Sequence, residues 1–107
     1  MRSVSTREEV LEVLQAEMPI LQSEFGITKM ALFGSFAEGT PTEASDVDLL
    51  IESSQSLGIR FFELSDYLSD SLGRNIDLVT FRQVEESKNK SRYRLIAENV
   101  ERSLLYV

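Results

Sequence analysis

The chain has 107 residues, a net charge of −7, and neither cysteine nor histidine. This length predicts one domain, residues 1–107, with a single hydrophobic core. The composition excludes disulfides, thiolate zinc sites and every catalytic arrangement that depends on histidine. Any chemistry must use carboxylates, hydroxyls, amines or guanidinium groups, and oxygen ligands suit Mg²⁺, Mn²⁺ or Ca²⁺.

Charge and hydropathy limit the partners that we expect. The apolar runs are short and the N-terminus lacks the apolar core of a signal peptide, so we predict no membrane segment and a cytoplasmic location. Residues 82–107 contain six basic and four acidic residues, a net charge of +2, which leaves −9 for the rest of the chain. Residues 1–81, with a net charge of −9, would repel the phosphate backbone of DNA or RNA, and we expect no direct binding of nucleic acid.

The first half of the chain predicts a helix followed by a strand. Residues 5–9 (STREE) have the pattern of a capping box, and apolar residues then recur at helical spacing. Pro19 should kink this helix or end its regular part near Met18, and Gly26 is a plausible stop. The short apolar stretch Lys29–Phe33 predicts the first strand.

The second half alternates strands and helices. Residues 37–45 predict a loop, Asp46–Glu52 a second strand, residues 60–72 a helix, and Asn75–Val79 a third strand. Apolar residues between Tyr93 and Leu104 mark a closing helix. This order, α-β-β-α-β-α, predicts a small α/β (α+β) domain, with a short mixed sheet, helices packed on one face and an open active-site face opposite.

Alternation along the strands predicts where the acidic side chains point. Val47, Leu49 and Ile51 share one face of the second strand, whereas Asp46 and Asp48 share the other. In the third strand, the apolar side chains take one face and Asp77 takes the opposite face. Three carboxylates from two neighbouring strands could therefore converge on a cation, although spacing alone does not show that the strands are neighbours.

The Gly-Ser pair at the end of the first strand suits a phosphate ligand. Gly34 permits a sharp turn, and free N–H groups of a short helical turn at residues 36–38, with the Ser35 hydroxyl, would bind phosphate oxygens. Asp46 and Asp48 would hold Mg²⁺ ions that bridge the phosphates, while a third carboxylate would complete one metal site and accept the proton of an attacking hydroxyl. Taken alone, each motif is usually a turn or a solvated strand edge, but the combination arises by chance in roughly one such chain in a thousand.

These residues together resemble a known motif. Gly34-Ser35, a gap of ten residues, Asp46-Val47-Asp48 and a later Asp77 are similar to the DNA polymerase β-type nucleotidyltransferase superfamily. The small size and the phrase IDLVT are most similar to the MNT (minimal nucleotidyltransferase) antitoxin family of bacteria and archaea. The resemblance implies that a nucleoside triphosphate is held by Gly34 and Ser35, and divalent metal by the three aspartates.

The resemblance also implies a partner. MNT proteins are commonly antitoxins paired with HEPN-type ribonuclease toxins, which implies Mg²⁺-dependent transfer of AMP from ATP to a tyrosine of the toxin. Mn²⁺ could replace Mg²⁺. Two alternatives remain open: a non-catalytic antitoxin that neutralises its partner by binding alone, and, ranked lower, transfer to a small molecule such as an aminoglycoside.

One position departs from the family pattern. Many relatives have a basic residue before the second glycine of the loop, where this chain has Glu38. A basic residue could come from elsewhere; the candidates are Arg82, Lys88, Lys90, Arg92 and Arg94. A solvated helix start or a docking surface for an acidic partner is the simpler interpretation of that basic run. Phe61 and Phe62 are predicted to belong to the helix core.

Overall fold

The computed structural model describes residues 3–88 and 104–107, with only the backbone of residues 87 and 88. Four helices and four strands are present in this part of the chain. They are α1 (Arg7–Phe25), β1 (Ile27–Phe33), α2 (Gly34–Glu38), β2 (Val47–Ser53), α3 (Arg60–Leu72), β3 (Ile76–Thr80), α4 (Phe81–Lys88) and β4 (Leu105–Tyr106). Within these residues, no helix combines the length and apolar character needed to cross a membrane.

The first helix begins at the predicted capping box and ends at Gly26, the predicted stop, which is its C-cap with φ of 66°. Thr6 is its N-cap and accepts a hydrogen bond from the Glu9 N–H, while the Glu9 carboxylate accepts one from the Ser5 N–H at 3.1 Å. The helix continues through Pro19 to Phe25. Of the two effects predicted for Pro19, an end of the regular part near Met18 is wrong, because burial of the apolar stripe that extends to Phe25 outweighs the missing proline N–H, while a kink stays a prediction.

The four strands form one mixed sheet in the order β3-β2-β1-β4. The central pair, β1 and β2, is antiparallel, and β1 also pairs antiparallel with β4. β2 and β3 are parallel, and α3 provides the crossover between them. The prediction of a small α/β domain with a short mixed sheet is confirmed.

Side-chain alternation divides the apolar residues between two faces of the sheet. The larger cluster lies under α1 and α3 and includes Val47, Leu49 and Ile51, all fully buried. A smaller cluster on the opposite face joins Ala31 and Leu50 to Val84 of α4. The helix α4, which was not predicted, therefore covers part of the second face, and the openness of that face around the aspartates stays a prediction.

Two other predictions are corrected. Leu104, which we placed in a closing helix, lies just before β4 and outside any helix; the remainder of that predicted helix, residues 93–103, lies outside the described residues. Phe61 packs against the core, but the Phe62 side chain is 71% exposed, because it follows Phe61 by one residue and points away from the buried stripe of α3.

Candidate active site

The sheet places two of the predicted site residues directly side by side. Asp48 in β2 and Asp77 in β3 are partners in the parallel register, one residue after the pair formed by Val47 and Ile76. Asp46 immediately precedes β2 and lies two residues before Asp48. The structure therefore makes β2 and β3 neighbours, as the predicted site requires. The role of these residues as metal ligands stays a prediction.

Asp48 is the electrostatic centre of the three carboxylates. Its side chain is half-buried, whereas Asp46 and Asp77 are exposed. Burial, and then the negative charges of Asp77 and Asp46, raise the pKa of Asp48 to about 6 from an ordinary value of 3.8. The folded chain therefore concentrates negative charge at a point where a cation would relieve both the repulsion and the loss of hydration.

The glycine of the Gly-Ser pair lies against this same carboxylate. Phe33, the last residue of β1, is opposite Asp48, so α2 begins directly beside the aspartates. Gly34 has φ of 72°. A methyl group in place of one of its Cα hydrogens would overlap a carboxylate oxygen of Asp48 and would lie 3.1 Å from the Asp48 Cγ. Glycine is thus required twice, for the backbone angle and for the close approach.

The three carboxylates fit a hard divalent cation, but they do not form a complete coordination site by themselves. Among residues 3–88 and 104–107, no three acidic side chains are already arranged to hold a metal ion. Mg²⁺ is usually bound by one or two carboxylates together with water and substrate phosphates. Carboxylates from Asp46, Asp48 and Asp77 fit that mode of binding, with the phosphates of a nucleotide completing the coordination.

The sequence did not point to Arg74, whose side chain contacts both the loop that leads to Asp46 and the helix α2. Its Nε donates to the Val4 carbonyl at 2.6 Å, and its Nη1 lies 2.9–3.1 Å from three carbonyls of the loop that leads to Asp46. Its guanidinium carbon also lies 5.0 Å from the centre of the Phe36 ring in α2. A lone arginine between Gly73 and a strand resembles an ordinary loop residue, and we find no pattern in the sequence that reveals these contacts.

Of the five basic residues that could replace the basic side chain missing at position 38, Arg82 is the one whose side chain the structure describes, and it is not near the aspartates. Arg82 pairs with Glu86 and lines a cavity of about 590 Å³ at the C-terminal ends of β2 and β3, the opposite end from Asp77. The Lys88 side chain, Lys90, Arg92 and Arg94 lie outside the described residues. Arg7 is closer to position 38, because its Nη1 donates to the Ala37 carbonyl at 3.1 Å.

Sequence comparisons identify relatives along nearly the whole chain. A model of the nucleotidyltransferase domain matches residues 18–104. A relative from Methanocaldococcus jannaschii with "protein adenylyltransferase" in its name is 35% identical over 105 residues, which cover 97% of this chain and 100% of the relative. Protein adenylyltransferase MntA of Thermococcus cleftensis is 36% identical over 103 residues, covering 95% and 96% of the two chains.

Structural comparisons find the same fold in solved proteins. A minimal nucleotidyltransferase matches with a TM-score of 0.68 and 24% identity, and the match covers 97% of this chain and 98% of that chain. A chain from a toxin–antitoxin crystal structure with AMP-PNP matches with a TM-score of 0.54 and 21% identity, covering 90% and 84%. At these identities the structural likeness concerns the fold alone.

Proposed function

Since this chain belongs to the nucleotidyltransferase domain family, as one of its minimal MNT-type members, we propose that it transfers AMP from ATP to a hydroxyl group of a partner protein. The acceptor in this proposal is a tyrosine of a HEPN-type toxin, and the chain, acting as one domain, is the antitoxin. The names of the relatives, which include protein adenylyltransferase, support the reaction. The toxin–antitoxin structure that shares the fold suggests the class of partner.

The observation that carries the proposal is the pairing of Asp48 with Asp77 in register, with Gly34 against Asp48. This arrangement places the negatively charged carboxylates next to the backbone of Gly34. When bound there, Mg²⁺ or Mn²⁺ would neutralise the phosphate charge and polarise the α-phosphate. Asp46, Asp48 and Asp77 would hold the metal, and Gly34 and Ser35 would hold the triphosphate through the backbone N–H groups and hydroxyl of their turn.

The proposed step is an in-line displacement at the α-phosphorus of ATP. The acceptor oxygen forms a bond to the α-phosphorus while the bond between that phosphorus and the bridging oxygen to the β-phosphate breaks. The pyrophosphate leaves, and the proton of the acceptor hydroxyl passes to Asp77. Most of the rate enhancement would come from positioning and from neutralising negative charge, as is general for phosphoryl chemistry.

The direct test is transfer of label from [α-³²P]ATP to the purified partner in the presence of Mg²⁺. The double variant Asp46→Asn/Asp48→Asn should lose transfer by on the order of 10³-fold while its unfolding temperature does not fall. Glu52→Gln is the matched control, because it removes a charge from the far, exposed end of the same strand and should transfer normally. Transfer by the double variant at the control rate would refute the mechanism.

The second candidate is neutralisation of the toxin by binding alone. It is favoured by the exposed Glu38, which stands where many relatives have a basic residue, and by the acidic charge of residues 1–81, which could cover a basic groove of the toxin. Neutralisation of the partner that needs neither ATP nor metal, and that survives in the double aspartate variant, would select this candidate.

A further inference from the structure

Arg74 makes an unusual set of contacts for a half-buried arginine. Among the described residues, all of its hydrogen bonds go to backbone carbonyls and none goes to a carboxylate. The acceptors are Val4 at 2.6 Å, Thr42 and Glu43 at 3.1 Å, and Ser45 at 2.9 Å. Carbonyl dipoles therefore provide the partners of this charge, and they come from two segments that are about 40 residues apart in the chain.

Each contact of Arg74 belongs to a segment that carries part of the proposed site. The carbonyls of residues 42–45 belong to the loop that ends at Asp46. The Phe36 ring, 5.0 Å from the guanidinium carbon, belongs to α2, which begins with Gly34 and Ser35. Arg74 itself lies three residues before Asp77, and the carbonyl of its neighbour Asn75 accepts a hydrogen bond from the Val47 N–H at 3.0 Å.

We propose that Arg74 is a positioning residue that sets the spacing of Asp46, Asp77 and the Gly34-Ser35 turn, and thereby the affinity of the site for the metal–nucleotide complex. The inference rests on the proposed function and names a residue that acts through others. A guanidinium has five N–H donors in one plane, so it can serve carbonyls on several sides while its face lies against an aromatic ring. A lysine ammonium has three donors and no flat face, and it cannot reproduce this geometry.

The loop that Arg74 binds is otherwise held mainly by its own turn. The Thr42 N–H donates to the Ser45 hydroxyl at 2.8 Å, and the Ser45 N–H donates to the Thr42 carbonyl at 3.1 Å. Those bonds shape the turn but do not attach it to the rest of the molecule. The loop is tied at its two ends by the Thr40 N–H bond to the Ser35 carbonyl and the Val47 N–H bond to the Asn75 carbonyl, both at 3.0 Å. Between these ends, the bonds from Arg74 to residues 42, 43 and 45 hold the loop, so they help to set the position of Asp46 relative to Asp77.

The test compares Arg74→Lys with Arg60→Lys, a control that shares the carbonyl and aromatic contacts of Arg74, although it is exposed and also pairs with the Glu63 carboxylate at 3.4 Å. The Arg60 Nη1 also donates to a carbonyl, that of Glu24 at 2.6 Å, and its guanidinium carbon lies 4.9 Å from the Phe25 ring, but it sits at the start of α3, far from the aspartates. The measurement is calorimetric titration of AMP-PNP into each protein at a series of Mg²⁺ concentrations, with thermal unfolding recorded in parallel.

We expect Arg74→Lys to need about 10- to 100-fold more Mg²⁺ than the wild-type chain for half-maximal AMP-PNP binding, the range seen when a residue that orients metal ligands is changed. Arg60→Lys should keep the wild-type Mg²⁺ requirement even if it unfolds at a lower temperature. An equal Mg²⁺ requirement in Arg74→Lys and wild type would overturn the inference alone. Failure of the wild-type chain to bind AMP-PNP with Mg²⁺ would overturn the proposed function and this inference with it.

A second variant decides the matter if Arg74→Lys does not fold. Ser45→Ala removes the hydroxyl that accepts from Thr42 and loosens the same loop without touching Arg74. We expect a smaller increase in the Mg²⁺ requirement, in the same direction. A wild-type requirement in Ser45→Ala would show that the ordering of this loop does not set metal affinity, and would overturn the inference.

Discussion

At the scale of single residues, the site depends on one close approach, that of Gly34 to Asp48. The carboxylate occupies the space that a Cβ at position 34 would need, and the backbone there has a positive φ. The Gly-Ser pair and the aspartate pair are separated by ten residues in the sequence, yet they meet because Phe33 and Asp48 are opposite each other in the antiparallel ladder. The absence of a side chain at residue 34 therefore leaves the Asp48 carboxylate the space that it occupies.

Replacing Gly34 by alanine should damage the site more than the fold. The new methyl group must push the Asp48 carboxylate aside, and we expect AMP transfer to fall by about 10²-fold. Gly58→Ala is the control, because Gly58 also has positive φ but has nothing within 4 Å of the added carbon. Both variants should lose about 1 kcal/mol of unfolding free energy from the backbone conformation. Transfer that is equally impaired in both would argue against a special role for the contact with Asp48.

The raised pKa of Asp48 predicts how the metal-free chain responds to pH. The folded-state pKa of about 6 lies above the ordinary value of 3.8, so the folded chain holds this proton more tightly than the unfolded chain. Stability should therefore fall as pH rises from about 4 to about 6 and stay lower above that range. After discounting for solvent screening at a half-buried group, we expect Asp48→Asn to be more stable than wild type by about 1 kcal/mol at pH 7.5.

Urea denaturation in EDTA at pH 7.5 and pH 4.5 measures this difference, which should shrink at the lower pH. Mg²⁺ should stabilise the wild-type chain at pH 7.5 but have less effect on Asp48→Asn. A variant that is less stable than wild type at pH 7.5 would contradict the assignment of unfavourable charge to this position.

At the scale of elements, regular alternation made β2, β3 and the buried stripe of α3 predictable. Alternate apolar residues placed Val47, Leu49 and Ile51 on the buried face, and the structure confirms this. The two-residue strand β4 could not be predicted, because it is defined only by pairing with β1 some 75 residues earlier. The helix α4 was missed because its sequence, FRQVEESK, contains a single fully aliphatic residue, Val84, whose burial depends on Leu50 and Ala31.

Pro19 shows how tertiary packing can override a local signal. The residue is exposed within a helix that remains regular on both sides of it. Pro19→Ala should restore a backbone hydrogen bond and relieve a steric clash, and we expect it to raise the free energy of unfolding by about 1–3 kcal/mol. Gln15→Ala, at an exposed position one turn earlier, should change it by no more than about 0.5 kcal/mol.

Urea denaturation of the two variants provides the measurement, and AMP transfer should be unchanged in both. Destabilisation by Pro19→Ala would show that the proline fits this helix better than the general rule allows.

At the scale of the whole molecule, the charge is segregated. The two helices on the larger core, α1 and α3, contain eight acidic and two basic residues, a net charge of −6 out of the −7 of the chain. Their outer surface also exposes Phe62. An acidic surface suits encounter with a basic partner, such as a protein that binds RNA, and affects the rate of association more than the final affinity.

Association with the proposed toxin should therefore depend on ionic strength. We expect the association rate constant to fall by roughly tenfold between 50 and 500 mM NaCl, because screening removes long-range attraction. Asp66→Asn/Asp70→Asn, which removes two exposed charges from α3, should show a slower rate at low salt and a weaker salt dependence. Stopped-flow measurements of the association rate test this prediction. If the rate depends on salt identically in both proteins, the toxin first contacts a surface other than α3.

The in-register pairing of Asp48 with Asp77 has a consequence for errors in assembly. A slip of β3 by one position would turn Leu78 towards solvent and drive Asp77 into the apolar interior beneath α3. Such a molecule would bury an unpaired charge, and this misregistered fold would therefore be unstable. Correct folding and a correctly assembled site are therefore linked, because a stably folded chain is one in which Asp48 and Asp77 lie side by side.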